Sequence, residues 1–135
     1  MNENVNIALV RRMWTAYERE GLEGILPFAS RDAEWRPYSA DGKVFLGTDR
    51  YREFVREMLK RGERVDATLV EVQAHGDCVV VTGRLRIRGE QGMRDNPMHW
   101  VHRVANGQIV FTASHVELNA VLDAAGLRLD SGAAA

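Results

Sequence analysis

Apolar side chains in the first 60 residues recur at helical spacing. From Val5 onward every fourth residue up to position 17 is apolar, which predicts a helix over about residues 4–20. A second helix is predicted over about residues 48–61, where Thr48 can cap the first turn and the apolar side chains again share one face. Between these helices the sequence predicts a short helical segment and then a strand over about residues 33–38.

The second half of the chain changes to the alternating pattern of strands. Apolar and polar residues alternate between turn signals such as Asn106-Gly107, and a short apolar helix ends at Gly126. Helices followed by a meander of strands are typical of an α+β fold with an antiparallel sheet. We therefore predict a single domain over residues 1–130 and a tail over residues 131–135. The predicted strands lie at about residues 64–74, 78–88, 97–104 and 108–117.

Composition narrows the classes of function. Of the 135 residues, 45% are apolar, which is enough for one packed core without disulfide bonds, and Cys78 is the only cysteine. A net charge of −1 with interspersed signs argues against the basic face that nucleic-acid binding needs. No apolar run reaches the roughly 18–20 residues of a membrane span, and no secretory signal is visible. We therefore expect a cytoplasmic protein that binds neither nucleic acid nor membrane.

Three segments carry a resemblance to a known family. They are residues 18–35, 47–55 and 103–118, which read EREGLEGILPFASRDAEW, GTDRYREFV and RVANGQIVFTASHVEL. With this order of elements, most of the chain resembles the SnoaL-like and ketosteroid-isomerase-like proteins of the nuclear transport factor two-like superfamily. The resemblance implies a cone-shaped fold, in which N-terminal helices pack on a strongly curved antiparallel sheet and enclose a pocket. It also implies that pairs of subunits associate through the outer face of the sheet.

The resemblance points to catalytic positions at which this chain holds other residues. Ketosteroid isomerases use a tyrosine and a protonated aspartic acid as oxyanion donors, and an aspartate as the base. In this chain the tyrosine position holds Met13, and the base position holds Pro37 or its neighbour Arg36. The aspartic acid position holds Trp100. Because these side chains cannot replace carboxylates, steroid-type proton transfer is not expected, and the acidic base of SnoaL polyketide cyclases has no equivalent either.

Arginines alternate with apolar residues along the predicted strand 78–88. Limonene-epoxide hydrolases, another branch, activate water with an Asp-Arg-Asp arrangement. Arg84 matches their arginine, whereas Arg86 and Ser114 stand in place of the two aspartates. If Arg84 points into the pocket, it can hold a carboxylate or enolate oxygen of a substrate. If the apolar residues of the strand point inward instead, the arginines lie outside, and the sequence leaves both orientations open.

His102 is the best candidate for a general base, because the ordinary pKa of histidine lies near neutrality. Its orientation depends on the turn at residues 105–107. A three-residue loop, which the family comparison favours, places His102 on the side of Thr112 and Ser114. A two-residue turn places His102 near Phe111 instead. A buried histidine with satisfied hydrogen bonds is the competing interpretation.

The predicted pocket has a mostly apolar and aromatic wall, which suits a small apolar or aromatic molecule. His102 is its predicted acid/base residue. We expect no cofactor, and no metal either, because His99 and His102 face opposite sides of one strand. His115 and Glu117 share a face but supply too few ligands for a metal ion. The predicted substrate-binding residues are Met13, Tyr17, Trp35, Phe54, Met58, Arg84, Trp100 and Ser114.

Two classes of function are open at this point. The first is an isomerase, cyclase or hydrolase that acts on a small, mostly apolar substrate by acid/base chemistry in the pocket. The second is a non-catalytic ligand-binding or dimeric scaffold domain, which the missing carboxylates favour. In either case we expect a homodimer through the outer sheet face, where Val101, Phe111 and Ala113 would expose apolar surface in a monomer.

Overall fold

The computed structural model describes residues 3–127, and the bounds of its helices and strands are as follows. The helices are α1 (Glu3–Glu20), α2 (Thr48–Lys60) and α3 (Leu118–Ala124). The strands are β1 (Ala29–Arg36), β2 (Phe45–Leu46), β3 (Arg64–His75), β4 (Cys78–Gly89), β5 (Gly92–Ala105) and β6 (Gln108–His115). Within residues 3–127 no helix is long and apolar enough to cross a membrane. The predicted tail, residues 131–135, lies outside the described residues.

The strands form one curved, mixed sheet in the order β2-β1-β6-β5-β4-β3. Every neighbouring pair is antiparallel except β1 and β6, which run parallel with Trp35 opposite Thr112. The α+β class and the curved sheet are therefore confirmed, although the sheet is not antiparallel throughout. The sequence pattern also misses β2, because a strand of two residues is too short to show alternation.

The turn between β5 and β6 sets the direction of His102. Asn106 and Gly107 have positive φ angles of 53° and 75°, and the strands pair on both sides of them, which defines a two-residue hairpin turn. This is the alternative that the family comparison did not favour. A bulge then inserts Val110 as one extra residue in β6, so that His102 nevertheless pairs with Thr112. The bulge restores the orientation that the three-residue loop would have given.

The sheet bends where β3 and β4 approach closely. At Gly83 a Cβ atom would lie 2.0 Å from the carbonyl oxygen of Thr68, so only glycine fits. Next to this contact the register between β3 and β4 shifts, and Val70 is the unpaired residue. Bulges of this kind increase the local twist and bend the strand that carries them.

The two faces of the sheet are covered by different helices. We call the side of α1 and α2 the inner face, and the opposite side the outer face. The inner face holds the larger core, to which α1 contributes Val10 and Met13, and β4 contributes Val79 and Val81. Since neighbouring residues of a strand point to opposite sides, Arg84 lies with its alternating neighbours on the outer face.

Helix α3 covers part of the outer face. Its Val121 and Leu122 side chains belong to a buried cluster on that side. The same cluster contains the sheet residues Val101, Phe111 and Ala113. The prediction that these three residues expose apolar surface is therefore wrong, because α3 folds back over them. The homodimer stays a prediction, and it loses the exposed surface on which it was based.

Candidate functional site

His102 is buried under α1, with 1% of its surface exposed. The indole Nε1–H of Trp14 donates a hydrogen bond to His102 Nε2 over 3.3 Å. An indole nitrogen only donates, so Nε2 carries no proton and the ring hydrogen sits on Nδ1. Nδ1 lies 2.9 Å from the Thr112 hydroxyl oxygen, to which it donates. Both ring nitrogens are therefore engaged, and the tautomer is fixed by the partners.

The surroundings of His102 disfavour its charged form. Burial lowers the pKa of His102 to about 3, because an imidazolium ion there would lose its hydration. At neutral pH the ring is uncharged, and its one lone pair accepts the Trp14 hydrogen bond. A substrate proton could reach that lone pair only if Trp14 moved away.

His102 belongs to a group of ring side chains that we call the His102 cluster, which comprises Trp14, Tyr17, Trp100 and His102. Trp14 is central to it, with ring centroids 5.4 Å from Tyr17, 5.0 Å from Trp100 and 6.1 Å from His102, all in edge-to-face arrangements. The Tyr17 hydroxyl donates to the Val65 carbonyl oxygen at 2.8 Å. Burial, with a smaller effect from the charge of Asp66, raises the pKa of Tyr17 to about 12. Tyr17 is therefore a neutral hydrogen-bond donor.

A second group, which we call the aromatic row, consists of Trp35, Tyr51, Phe54 and Phe45. Trp35 and Tyr51 stack with centroids 4.2 Å apart and an interplanar angle of 6°. Phe54 lies 6.1 Å from Tyr51 and 4.9 Å from Phe45. The row starts in the core, where 1% of Trp35 is exposed, and ends at the partly exposed rings of Phe45 and Phe54.

Hydrogen bonds fix the inner end of the aromatic row. The Trp35 indole donates to the Thr48 hydroxyl oxygen over 3.1 Å, and that hydroxyl donates to the Ser30 carbonyl oxygen over 2.7 Å. Thr48 therefore does not cap α2 as predicted, and Gly47 occupies the cap position without a side-chain bond. The hydroxyl instead joins the start of α2 to β1 through Trp35.

A cleft that we call the α2 cleft opens at the outer end of the aromatic row. It lies between α2 and the segment 39–45, and its volume is about 790 Å³. Phe45 and Phe54 belong to its wall, which is otherwise largely polar. Among the predicted substrate-binding residues, Phe54 is the one that the α2 cleft exposes.

The other predicted site residues lie in three places, which are the interior on the inner face, the outer face of the sheet and the end of β6. Met13, Tyr17, Trp35 and Trp100 are buried in the inner core together with His102, and Met58 is buried on α2. This places their side chains on the predicted side of the sheet, but packed against neighbouring side chains.

Arg84 and Ser114 lie away from the inner core. The Arg84 guanidinium donates to Asp95 over 3.1 Å on the outer face, where Arg86 donates to the same carboxylate over 3.4 Å. Arg84 therefore faces away from the predicted pocket, because the apolar residues of β4 take the inner positions. Ser114 lies at the end of β6 and accepts a hydrogen bond from the Tyr38 backbone N–H over 2.9 Å.

The family of the chain follows from a comparison with family models. The model described as SnoaL-like domain matches residues 10–112. The chain belongs to the SnoaL-like family. No curated protein matches it. The match covers α1 from Val10 onward, α2 and the sheet as far as Thr112, and therefore includes both the His102 cluster and the aromatic row.

Solved structures share the fold of this SnoaL-like protein at low sequence identity. An NTF2-like protein of unknown function from Burkholderia pseudomallei is 22% identical with a TM-score of 0.73, over 91% of this chain and 97% of the other. TerC, co-crystallised with polyporic acid, is 20% identical with a TM-score of 0.72, over 88% and 96%. An LEH-like epoxide hydrolase from M. tuberculosis is 14% identical with a TM-score of 0.71, over 90% and 89%. These matches establish the fold.

The geometry also bears on the reactions of related enzymes. The Asp-Arg-Asp arrangement of epoxide hydrolases has no counterpart at the matching positions, because Arg84 and Arg86 lie on the outer face. Of the positions compared with ketosteroid isomerases, Met13 and Trp100 are buried in the inner core. Arg36 lies over the ring of Phe111 on the outer face, 5.6 Å from its centroid.

The structure adds residues that the sequence does not single out. Trp14 and Thr112 hold His102, and they lie 88 and 10 positions from it along the chain. Tyr51 stacks on Trp35, and Phe45 extends the row from β2. Tyr51 falls on the predicted apolar face of α2, which marks it as buried but not as a stacking partner. The contacts of Trp14 and Phe45 carry no local signal, whereas Thr112 was expected on the same side of the sheet as His102.

Proposed function

We propose that this SnoaL-like protein binds a small, flat, mostly apolar molecule in the α2 cleft, and that it acts as a ligand-binding protein rather than as an acid/base enzyme. The aromatic row carries this proposal. It presents Phe45 and Phe54 to the cleft and continues inward to the stacked pair of Tyr51 and Trp35. A planar ligand would extend the row by one further ring.

The cleft is suited to such a ligand in size and rigidity. Its volume of about 790 Å³ falls within the range of small-molecule sites, roughly 300–1,000 Å³. The rings at its wall are backed by Trp35, whose indole is fixed through the Thr48 hydroxyl. A wall that is already ordered loses little side-chain entropy on binding, which favours affinity.

The rim of the cleft favours a neutral ligand with a polar substituent. Its charges balance, so that no net charge selects an ion, whereas a hydroxyl or carbonyl group would find both donors and acceptors. The charged rim residues are Lys43, Arg50 and Arg61 on the positive side and Asp41, Glu53 and Glu57 on the negative side.

The buried polar groups support ligand binding over acid/base catalysis. Among residues 3–127 the buried polar side chains are Asn6, Thr48, His102 and Thr112, none of which is a carboxylate. Proton transfer in the inner core would therefore depend on His102, whose two ring nitrogens already have partners. A positioned base needs a lone pair within reach of the substrate proton.

The proposal can be tested by calorimetric titration with 2-naphthol and its saturated analogue decahydro-2-naphthol. We expect 2-naphthol to bind more tightly, because ring stacking adds to apolar burial. Phe54→Ala should weaken 2-naphthol binding about tenfold, which corresponds to about 1.4 kcal/mol. Leu59→Ala is the matched control, since Leu59 lies on the same helix, is partly exposed and does not line the cleft.

Two results would contradict the proposal. One is equal binding of the aromatic and saturated alcohols by the unmodified protein. The other is 2-naphthol binding that survives Phe54→Ala but disappears in His102→Ala, which would place the ligand in the inner core. The melting temperature of each variant, measured without ligand, separates a binding effect from unfolding.

A further inference from the structure

A second cleft lies next to the α2 cleft, at one end of the sheet. It is formed where β1 and β6 end and where α3 crosses the outer face, and we call it the edge cleft. Its volume is about 290 Å³, close to the lower end of the range for small-molecule sites. Ala113 of β6 and Val121 of α3 lie at its base. Lys43 lines this cleft as well as the α2 cleft, whereas its other lining residues do not line the α2 cleft.

The polar groups of the edge cleft are arranged as hydrogen-bond donors. The Tyr38 N–H donates to Ser114 Oγ over 2.9 Å, which leaves the hydroxyl hydrogen of Ser114 free to donate. The Glu117 N–H donates to His115 Nδ1 over 3.0 Å, so the ring hydrogen of neutral His115 is on Nε2. Both side chains can therefore offer a hydrogen to a ligand.

Two cations adjoin these donors. Arg36 pairs with Glu34 over 2.5 Å, which satisfies part of its charge. Lys43 forms no ion pair with any residue between positions 3 and 127. Within that described range no Asp or Glu lines the edge cleft, so its wall carries a net positive charge. An anion would meet attraction from Lys43 without a carboxylate at the wall to repel it.

The rest of the wall is apolar. Val44 and the small residues of α3 form one side, and Tyr38 meets the ring of His115 edge to face at 5.2 Å on the other. A bare inorganic anion would leave this apolar surface exposed. A carboxylate on a small hydrocarbon body would cover it and still reach the donors.

We propose that the edge cleft binds a small organic carboxylate. Its carboxylate group accepts hydrogen bonds from Lys43, Ser114 and His115, and its apolar body packs between Tyr38 and α3. This site differs from the one proposed for the α2 cleft, because Ser114, His115 and α3 line the edge cleft alone, although Lys43 lines both clefts.

Benzoate is the test probe, with benzyl alcohol as its neutral counterpart and inorganic phosphate as the anion without an apolar body. In a titration followed by amide NMR, we expect benzoate to shift the signals of Lys43, Ser114 and His115 and to bind more tightly than either comparison compound. Lys43→Met keeps the length of the side chain but removes its charge. It should weaken benzoate binding about five- to tenfold, as expected for the loss of a charge-assisted hydrogen bond.

Matched variants make the outcome decisive. Arg88→Met removes an exposed arginine outside the cleft and should leave benzoate binding unchanged. Phe54→Ala should also leave it unchanged, which separates this site from the α2 cleft. The proposal is overturned if benzoate and benzyl alcohol bind equally, if phosphate binds as well as benzoate, or if Lys43→Met and Arg88→Met weaken binding alike. Absence of any benzoate-induced shift at Lys43 and Ser114 would overturn it as well.

Discussion

The inner and outer layers of this SnoaL-like protein pack against the same sheet but consist of different kinds of side chain. The inner layer, between the sheet and helices α1 and α2, is rich in rings with polar atoms, and those of Trp14, Trp35 and His102 are hydrogen-bonded. The outer layer, between the sheet and α3, consists of aliphatic side chains with Phe111 and Cys78. The hydrogen-bonded rings thus lie in the inner layer, which is where the family resemblance predicts a pocket.

This difference shows why buried polar rings alone do not identify an active site. His102 has the residue type and the position expected of a base, but its partners Trp14 and Thr112 occupy both nitrogens. Polar side chains that a ligand could reach lie instead at the margins of the layers, in the α2 cleft and the edge cleft. Binding is accordingly expected at the margins.

The largest effect is expected from opening the inner layer at Trp35. Trp35→Ala removes a buried ring that stacks on Tyr51, and should lower the free energy of unfolding by about 3–5 kcal/mol in urea denaturation. Trp35→Phe keeps a stacking ring and loses the hydrogen bond to Thr48, so its cost should be only about 1–2 kcal/mol. Equal costs would show that the stack contributes little.

A smaller effect is expected from the outer layer. Leu122→Ala should lower the free energy of unfolding by about 2–3 kcal/mol, because α3 loses part of its buried contact with the sheet. Looser docking of α3 should also uncover Phe111 and promote self-association, which sedimentation velocity would detect. An unchanged stability would mean that α3 is not needed to cover this face.

Acid should lower the free energy of unfolding, because His102 is buried without a charge. The pKa of His102 in the folded state, about 3, is below the ordinary value of about 6.5, so the unfolded chain binds a proton that the folded chain excludes. The contribution of His102 to the free energy of unfolding is therefore complete above about pH 6.5. It is lost as the pH falls, by up to about 1.4 kcal/mol per pH unit. His102→Gln should flatten the dependence of the free energy of unfolding on pH between 7 and about 5.

His99→Gln is the matched control for this pH dependence. His99 lies on the other side of β5, and its pKa is lowered by burial, but it is less enclosed than His102. Its replacement should flatten the pH profile less. If both variants showed the slope of the unmodified protein, His102 would not be buried and neutral in solution.

The smallest effect is expected at Arg84. Its ion pair with Asp95 lies on the outer face and is about half exposed, so Arg84→Gln should leave the urea midpoint nearly unchanged. Binding of 2-naphthol should not change either. A marked loss of binding in this variant would mean that Arg84 reaches the ligand, contrary to its orientation on β4.

Features with a local pattern could be predicted from the sequence, and contacts between distant segments could not. Both long helices and strands β3–β6 follow from periodicity, since each spans enough residues to repeat its pattern. The parallel pairing of β1 with β6 and the docking of α3 join segments far apart in the chain. The bulge at Val110 had no sequence signal, although it alone turns His102 towards Thr112.

The candidate site shows the same division. Phe54 could be predicted on the apolar side of an amphipathic helix, and the structure places it at the wall of the α2 cleft. Arg84 could not be oriented, because alternation in β4 defines two faces without saying which of them meets α1. Trp14 could not be linked to His102, since they are 88 residues apart.

The most direct test of the proposed function is the position of bound 2-naphthol, measured by intermolecular nuclear Overhauser effects. The proposal predicts contacts from the naphthol ring to the ring protons of Phe45 and Phe54 at the wall of the α2 cleft. Contacts to Trp100 and His102 instead would place the ligand in the inner core. That result would contradict the account and return His102 to consideration as an acid/base residue.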